Sequence, residues 1–276
     1  MNSSLTKKIL LLVAILISFI FIFPIIWMVM TSFKTDTEAL VSGIKILPKK
    51  FTLENYIYSF KISGLGVSVG RWVLNSLLVS SVGTIIIIII DSLAAYGLSR
   101  LDIPGKKYIS SIIFGTLMIP GIISFLPLYL EFNSLGFLNT YKALILPYTA
   151  NAFGVFLIYQ FLRDFPKELE EAAYIEGANK FQVFIKVILP NIKPILWTLG
   201  IFSFTGIYND FLWPLVSVNS PELRTITAGL AIVQQGLVIK FGKLMAISTI
   251  ATIPSLIIFF IGQKHFVKGM VNSGLK

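Results

Sequence analysis

Few side chains of this sequence have the types and spacing that catalysis or metal binding needs. The chain has no cysteine and a single histidine, His265, which excludes thiolate chemistry and Cys/His metal sites. The segment GVSVG at 66–70 has the G-x-S-x-G pattern of a serine nucleophile. That pattern works only in a strand–turn–helix with ordered triad partners, whereas Ser68 directly precedes a long apolar stretch. We therefore predict neither a catalytic residue nor a metal site.

Two common classes of ligand also lack the residues that would bind them. No G-x-x-x-x-G-K-[ST] loop occurs, so the chain cannot hold nucleotide phosphates in the usual way, and no cofactor is expected on it. The net charge of +10 could suggest nucleic acid. The basic residues lie near the ends of apolar stretches, however, where they anchor helices at lipid headgroups, and no basic–aromatic cluster occurs. We expect no nucleic-acid partner.

The segment DFPKELEEAAYIEG at 164–177 differs clearly from the apolar stretches around it. Pro166 suits the first position of a helix, where its missing N–H would be unpaired anyway. Glu168 is favourable in the first turn because it faces the positive end of the helix dipole. Gly177 can adopt the left-handed conformation that ends many helices. The segment predicts a helix of about three turns.

A second helix is predicted directly after this glycine. Asn179 with Gln182 three residues later forms a variant of the capping box. Apolar residues then recur at the i, i+3, i+4, i+7 spacing of one buried face, formed by Phe181, Phe184, Ile185 and Ile188. Pro190 is predicted to stop this helix. Residues 163–194 are thus interpreted as a helix–turn–helix insertion whose first helix faces the cytosol.

The first insertion helix has the surface of a docking element. Ala172 and Ala173 are small enough to let another surface approach closely, and Glu170, Glu171 and Glu176 add charge. A solvated amphipathic linker is the simpler interpretation of such a charged stretch. Most connections are short, so roughly thirty ordered residues favour a docking site for a cytosolic partner.

The elements that position this insertion are apolar stretches long enough to cross a membrane. The chain of 276 residues is 55 % hydrophobic and only 13 % charged, far less charged than a water-soluble domain. We predict an all-α integral membrane protein, a single transmembrane domain over 1–276, with the insertion between the fourth and fifth of six spans. The spans are expected at about 9–31, 72–98, 109–130, 143–162, 195–217 and 244–263.

The basic residues give the expected orientation. Lys7 and Lys8 precede the first span, and cytoplasmic segments carry an excess of lysine and arginine. With these two lysines inside, the insertion and both termini are cytoplasmic, and the bias of the remaining basic residues agrees weakly. The lipid bilayer is therefore the first expected partner.

The insertion resembles the EAA motif of ABC importer permeases. The matching residues are Glu171, Ala172, Ala173, Gly177, Leu189 and Pro190, with Val187 at the position of an isoleucine and Glu176 where aspartate is usual. The likeness extends along the chain to the carbohydrate-importer branch. Its further segments are TLENY at 52–56, LAAYGLSRLDIPGKK at 93–107, YNDFLWPLV at 208–216 and QKHFVKGM at 263–270. The last two are typical of the maltose-transporter-type second permease.

The resemblance implies a transport subunit of the bacterial cytoplasmic (inner) membrane that is not an enzyme. Its relatives pair with a second homologous permease, two cytosolic ATPase subunits that bind ATP and Mg, and an extracytoplasmic substrate-binding protein. The first insertion helix would be a coupling helix that fits a cleft in the ATPase. The expected ATPase-coupling residues are Glu170, Glu171, Ala172, Ala173, Ile175, Gly177, Leu189 and Pro190. The expected cargo is a sugar or oligosaccharide, and the alternative is a glycerol-phosphate-type or other polar solute.

Other classes of membrane protein are less consistent with the sequence. An ion-coupled secondary carrier needs ionisable residues inside its spans, and Asp91 and Asp210 are the acidic candidates. Asp91 is interpreted mainly as an anchor between helices. Asp210, with Asn209, is either a structural hydrogen-bond node or part of the translocation path. An intramembrane enzyme lacks a nucleophile–base pair, and a purely structural membrane protein would not need the insertion.

Overall fold

A computed structural model describes residues 3–41, 45–61, 67–234 and 240–273 of the chain, and every regular element in these ranges is helical. The α-helices are Ser3–Ser32 (α1), Asp36–Val41 (α2), Glu54–Phe60 (α3), Val69–Arg100 (α4), Lys106–Gly115 (α5), Phe125–Ser134 (α6), Tyr141–Ile145 (α7), Ala152–Arg163 (α8), Glu168–Ile175 (α9), Lys180–Val183 (α10), Leu189–Asn191 (α11), Lys193–Asn209 (α12), Leu212–Ser217 (α13), Ile226–Gln234 (α14) and Phe241–Ser273 (α15). The fold is therefore all-α over the described chain.

Four helical segments are long and apolar enough to cross a membrane: Thr6–Ser32, Val69–Arg100, Tyr141–Arg163 and Phe241–Gln263. Two further candidates are bent pairs, Lys106–Met118 with Gly121–Ser134 at 97° and Lys180–Asn191 with Lys193–Asn209 at 76°. Counting each pair as one span gives six among the described residues. The range 195–217 predicted for the fifth span does not match one helix, because α12 ends at Asn209 and a break at Asp210 separates it from α13.

Helix α4 is the centre of the packing, with α8 and α12 against it, while α1 packs along α15. Lipid tails are as apolar as leucine, so helices in a membrane associate through close contacts and hydrogen bonds between them. The buried side of α4 accordingly carries polar and small residues. It includes Asn75, Ser76, Ser80, Gly83, Thr84, Asp91 and Ser92. A Cβ on Gly83 would lie only 2.9 Å from Ile207 Cδ1, so this glycine permits the close approach of α4 and α12.

Two buried tryptophans connect the short helices after α12 to the long ones. The Trp72 indole N–H donates to Pro221 O at 2.8 Å, and that of Trp213 donates to Ala143 O at 2.8 Å. The Asn75 side chain donates to Glu222 O at 2.7 Å and to Arg224 O at 2.9 Å. These bonds satisfy backbone carbonyls of the short helix α7, of the 3-10 turn Pro221–Leu223 and of Arg224, for which lipid offers no donor.

Candidate functional site

The first insertion helix, α9, forms close to the predicted position. Lys167 already has helical dihedral angles, and its carbonyl accepts the N–H groups of Glu170 at 2.9 Å and Glu171 at 3.0 Å. Pro166 therefore lies just before the helix and not at its first position. The first turn is acidic, which suits the positive end of the helix dipole.

Gly177 ends α9 as predicted, with a φ of 86°. The Gly177 N–H donates to Tyr174 O at 3.0 Å, and the Ala178 N–H donates to Ala173 O at 3.0 Å. This pair of bonds is a Schellman motif, which satisfies the last carbonyls of a helix and turns the chain sharply. The left-handed conformation confirms the prediction made from the sequence, and it sets the direction in which the second insertion helix leaves.

Replacing Gly177 by valine should disrupt this turn. A Cβ at Gly177 would meet nothing within 4 Å, so the cost comes from backbone strain alone and is about 1–3 kcal/mol. For the transport subunit that the resemblance implies, the expected result is normal insertion into the membrane with impaired uptake. Gly177→Asn is the matched control, because asparagine tolerates the left-handed region. Equal uptake by the valine and asparagine variants would show that the turn does not require this conformation.

The second insertion helix begins with the predicted capping box. Asn179 Oδ1 accepts the Gln182 N–H at 2.9 Å, and Gln182 Oε1 accepts the Asn179 N–H at 2.9 Å. The predicted buried face is only half correct, because Phe184 and Ile188 are buried whereas Phe181 is 67 % and Ile185 41 % exposed.

A π-helical turn over Phe184–Ile188 explains the altered face. Such a turn adds one residue to the helix and rotates everything after it. Pro190 follows and cannot donate to the preceding turn, yet the helix continues to Asn191 before bending into α12. Leu189 is half-buried against the core and Pro190 is exposed. Both residues therefore lie at the bend and not on α9.

Glu170 is the predicted surface residue that the structure places elsewhere. It is 4 % exposed, and its carboxylate accepts a hydrogen bond from Arg100 Nε at 2.5 Å. Arg100 Nη2 also donates to Phe165 O at 2.9 Å. Both charged side chains are only 6 % exposed. The assignment of Glu170 to the exposed charged surface is therefore wrong, because its carboxylate forms a buried ion pair with Arg100, the last residue of α4.

Four exposed residues form what we call the α9 outer face: Lys167, Glu171, Ala172 and Ile175. Ile175 is 88 % exposed. Such exposure is unusual for a branched apolar side chain on a helix that is attached to the rest of the protein. Glu176 is exposed beside it, while Ala173 is half-buried and packs against the core. The insertion thus presents a mixed apolar and acidic surface on α9, and Glu170 attaches this helix to Arg100 of α4.

Asp210 lies at the break between α12 and α13. Its side chain Oδ2 accepts a hydrogen bond from the Tyr148 hydroxyl. Its backbone carbonyl accepts one from Thr227 Oγ1 at 2.6 Å. The structure therefore shows Asp210 as a hydrogen-bond node between the break, the fourth apolar segment and α14. Asn209 beside it is exposed, and a role of either residue in a translocation path stays a prediction.

The serine of GVSVG is a helix cap. Ser68 Oγ accepts the Gly70 N–H at 3.2 Å at the start of α4, and no strand accompanies it in the described chain. The described residues also contain no group of three or more His, Cys, Asp and Glu that could hold a metal. The side chain of His265 lies outside the described residues. The geometry around Ser68 thus lacks the strand–turn–helix that a nucleophile elbow needs.

Sequence reasoning missed Arg100 as a member of the site. An arginine at the end of an apolar helix is usually an anchor at the lipid headgroups, and nothing in the neighbouring residues points to a partner 70 positions later. The available signal was the pair of adjacent glutamates at 170 and 171. Neighbouring residues on a helix point about 100° apart, so the two glutamates need not share one environment.

Comparison with known proteins identifies the family. The model of the family described as "Binding-protein-dependent transport system inner membrane component" matches residues 88–272. The trehalose/maltose transport system permease MalG of Thermococcus litoralis is 34 % identical, over 100 % of this chain and 99 % of its own. The arabinooligosaccharides transport system permease AraQ of Halalkalibacterium halodurans is 33 % identical over 94 % and 93 %. A probable ABC transporter permease of Bacillus subtilis, YurM, is 36 % identical over 92 % and 83 %.

The fold also matches a solved transporter. The crystal structure of a bacterial ABC transporter involved in the import of the acidic polysaccharide alginate contains a chain that superposes with a TM-score of 0.85. That match has 21 % sequence identity and covers 96 % of this chain and 99 % of the other. The family matches and the shared fold confirm the resemblance stated from the sequence. The chain belongs to the family of inner-membrane components of binding-protein-dependent transport systems, and it is a multi-pass transport permease without catalytic activity of its own.

Proposed function

We propose that this chain is one of two permease subunits of an ATP-driven importer for a sugar or oligosaccharide. The named relatives transport trehalose or maltose and arabino-oligosaccharides, which supports a carbohydrate cargo. A glycerol-phosphate-type or other polar solute is the alternative. These two classes of cargo are distinguished by a binding measurement on the extracytoplasmic protein that works with this permease. The compounds tested are maltose, trehalose, arabinotriose and glycerol 3-phosphate.

The proposed assembly contains a second homologous permease, two cytosolic ATPase subunits and an extracytoplasmic binding protein. ATP and Mg would bind to the ATPase subunits, because this chain lacks the phosphate loop. All six candidate spans would cross the inner membrane, with both termini and the insertion 163–194 on the cytosolic side. The four helices and two bent pairs of suitable length support this topology.

The α9 outer face is the observation that carries the proposal. An 88 % exposed isoleucine beside exposed Glu171 is suited to a partner that covers the apolar side chain and pairs with the carboxylate. In the proposed mechanism the ATPase cleft binds this face, and closure of the ATPase dimer on ATP moves α9. Because α9 is attached to α4 by a buried ion pair, that movement reaches the spans. Gly177 gives the turn, while Leu189 and Pro190 hold the bend that connects the insertion to α12.

Charge reversal at the centre of this face tests the proposal. Glu171→Lys would place a cation against a surface suited to an anion, and such like-charge contacts can cost several kcal/mol. The variant is expected to reach the membrane and pair with the second permease, yet to lose ATPase binding in a pull-down. Lys180→Glu is the control, since Lys180 is exposed on α10 beyond the turn. If both variants bind the ATPase normally, the insertion is a solvated linker.

A further inference from the structure

The fourth apolar segment is broken within its length. Helix α7 is followed by a 3-10 turn at Leu146–Tyr148, and residues 149–151 are not helical before α8 begins at Ala152. A helix that starts at such a break leaves the N–H groups of its first turn without partners in the helix. Lipid offers no substitute for these bonds, so neighbouring side chains must supply the acceptors.

Asp91 of α4 supplies one of these acceptors from outside the segment. Its Oδ1 accepts the backbone N–H of Asn151 at 3.1 Å, and Asn151 Oδ1 in turn accepts the Phe153 N–H at 2.9 Å. Asp91 is 0 % exposed. A carboxylate in this position also faces the positive end of the α8 dipole. The broken segment is thus capped by its own asparagine and by an acidic side chain of a neighbouring helix.

The second carboxylate oxygen of Asp91 lies against Gly154. A Cβ on Gly154 would be 2.0 Å from Oδ2 and 3.0 Å from Leu199 Cδ1. Oδ2 is buried and has no hydrogen-bond partner among the described residues. A glycine at this one position of α8 therefore makes room for the carboxylate, and the first turn of α8 is shaped around Asp91.

Further along α4, two other side chains hold the insertion that follows α8. The Tyr96 hydroxyl donates to Lys180 O at 3.0 Å, and Arg100 binds Glu170 and Phe165 O. From Asp91 to Arg100 the distance along the helix is about 14 Å, at about 1.5 Å per residue. Helix α4 thus attaches the start of α8 through Asp91 and the insertion after α8 through Tyr96 and Arg100.

On the other side of the break, Tyr148 donates to the Asp210 carboxylate. The break therefore lies between Asp91 of α4 and Asp210, which directly follows α12. We infer that Asp91 is a positioning residue that holds the start of α8 on α4. Through this contact, a movement of the insertion is transmitted across the break to the residues around Asp210. This inference rests on the proposed function, because it assumes that the insertion is moved by an ATPase.

The experiment uses the complete importer in lipid nanodiscs. Because this chain has no cysteine, an Asn209→Cys background makes the exposed position beside Asp210 its single reactive thiol. The rate of labelling by a hydrophilic maleimide is measured without nucleotide and after trapping with ATP and vanadate. The variants added to this background are Asp91→Leu, which removes the acceptor but keeps the number and branching of the side-chain heavy atoms, and Asp91→Asn, which keeps an oxygen acceptor. Ser92→Ala is the control, since this buried hydroxyl donates to Ile89 O of its own helix.

ATP hydrolysis by Asp91→Leu should stay within about threefold of the parent, because Arg100 still holds the docking helix. Its nucleotide-dependent change in labelling should fall at least about fivefold, whereas Asp91→Asn and Ser92→Ala should keep the change. Gly154→Ala provides a second variant, since its methyl group would displace the carboxylate without removing it, and it should resemble Asp91→Leu.

Three results would overturn the inference. A normal labelling change in Asp91→Leu would show that the contact carries no movement. An equal loss in Asp91→Asn would show that the hydrogen bond to Asn151 is not the cause. Failure of both Asp91→Leu and Gly154→Ala to assemble would make Asp91 a folding residue and not a positioning one. A parent complex whose labelling does not respond to ATP would instead overturn the proposed function, and this inference with it.

Discussion

Replacing Arg100 by methionine is expected to release the insertion from α4 and to abolish ATP-driven transport. Removing one partner of a buried ion pair leaves the other charge uncompensated and costs about 3–5 kcal/mol. Here the buried charge left without a partner is that of Glu170, whose side chain is 6 % exposed. The hydrogen bond from Arg100 to Phe165 O is lost as well. The α9 outer face would keep its composition but lose its attachment.

Limited trypsin digestion in membranes measures this release directly. Lys167 and Lys180 lie at the two ends of α9 and its turn, and cleavage there should become at least about tenfold faster in Arg100→Met. The double variant Arg100→Met, Glu170→Met should be cleaved more slowly than the single one, because an apolar pair can replace a buried ion pair. Asp102→Asn is the control, since its ion pair with Lys106 spans 3.7 Å and its side chain is fully exposed. Unchanged cleavage in Arg100→Met would mean that the ion pair does not hold the insertion.

Replacing Gly229 by alanine is expected to destabilise the packing of α14 on α4. A Cβ at this position of α14 would lie 2.2 Å from Trp72 Cε3 and 2.5 Å from Cδ2. The indole cannot move aside freely, because it is 0 % exposed and donates a hydrogen bond to Pro221 O. Adding one methyl group to such a site costs about 1–3 kcal/mol through forced shifts of side chains and backbone.

The thermal unfolding midpoint of the assembled importer measures this effect. Gly229→Ala should lower it, and Gly229→Val should lower it further. Gly206→Ala is the matched control, because a Cβ there would meet nothing within 4 Å and alanine is favoured over glycine inside a helix. A midpoint for Gly229→Ala equal to that of Gly206→Ala would contradict the close approach of α14 to Trp72.

Several features could be predicted from the sequence because they depend on residues within one or two turns. The left-handed Gly177 and the Asn179–Gln182 capping box are set by backbone hydrogen bonds between near neighbours, so the local residue types predict them. The apolar stretches were recognisable because crossing a bilayer demands length and hydrophobicity. The family resemblance extended these local features to a transport permease, and the comparisons confirm it.

The buried face of the second insertion helix could not be predicted in the same way. The i, i+3, i+4, i+7 pattern assumes a regular α-helix, and the π-helical turn at Phe184–Ile188 rotates the later residues. Ile185 lies inside this turn and is exposed although the pattern places it on the buried face, and Phe181 before the turn is exposed as well. Ile188 and Ile192 are fully buried, and this packing is not contained in the periodicity.

The sequence by itself determined the all-helical membrane class of the protein and the two helices of the insertion with the turn between them, because each follows from composition or from short-range chemistry. Only the tertiary structure decided which charged residues are inside. Arg100 meets Glu170, Asp91 meets Asn151, and Tyr148 meets Asp210, and each pair joins residues 60 or more positions apart. Such pairs form because lipid offers no hydrogen-bond partners, so buried polar groups find them within the protein, and the partner is decided by how α4, α8 and α12 lie against one another.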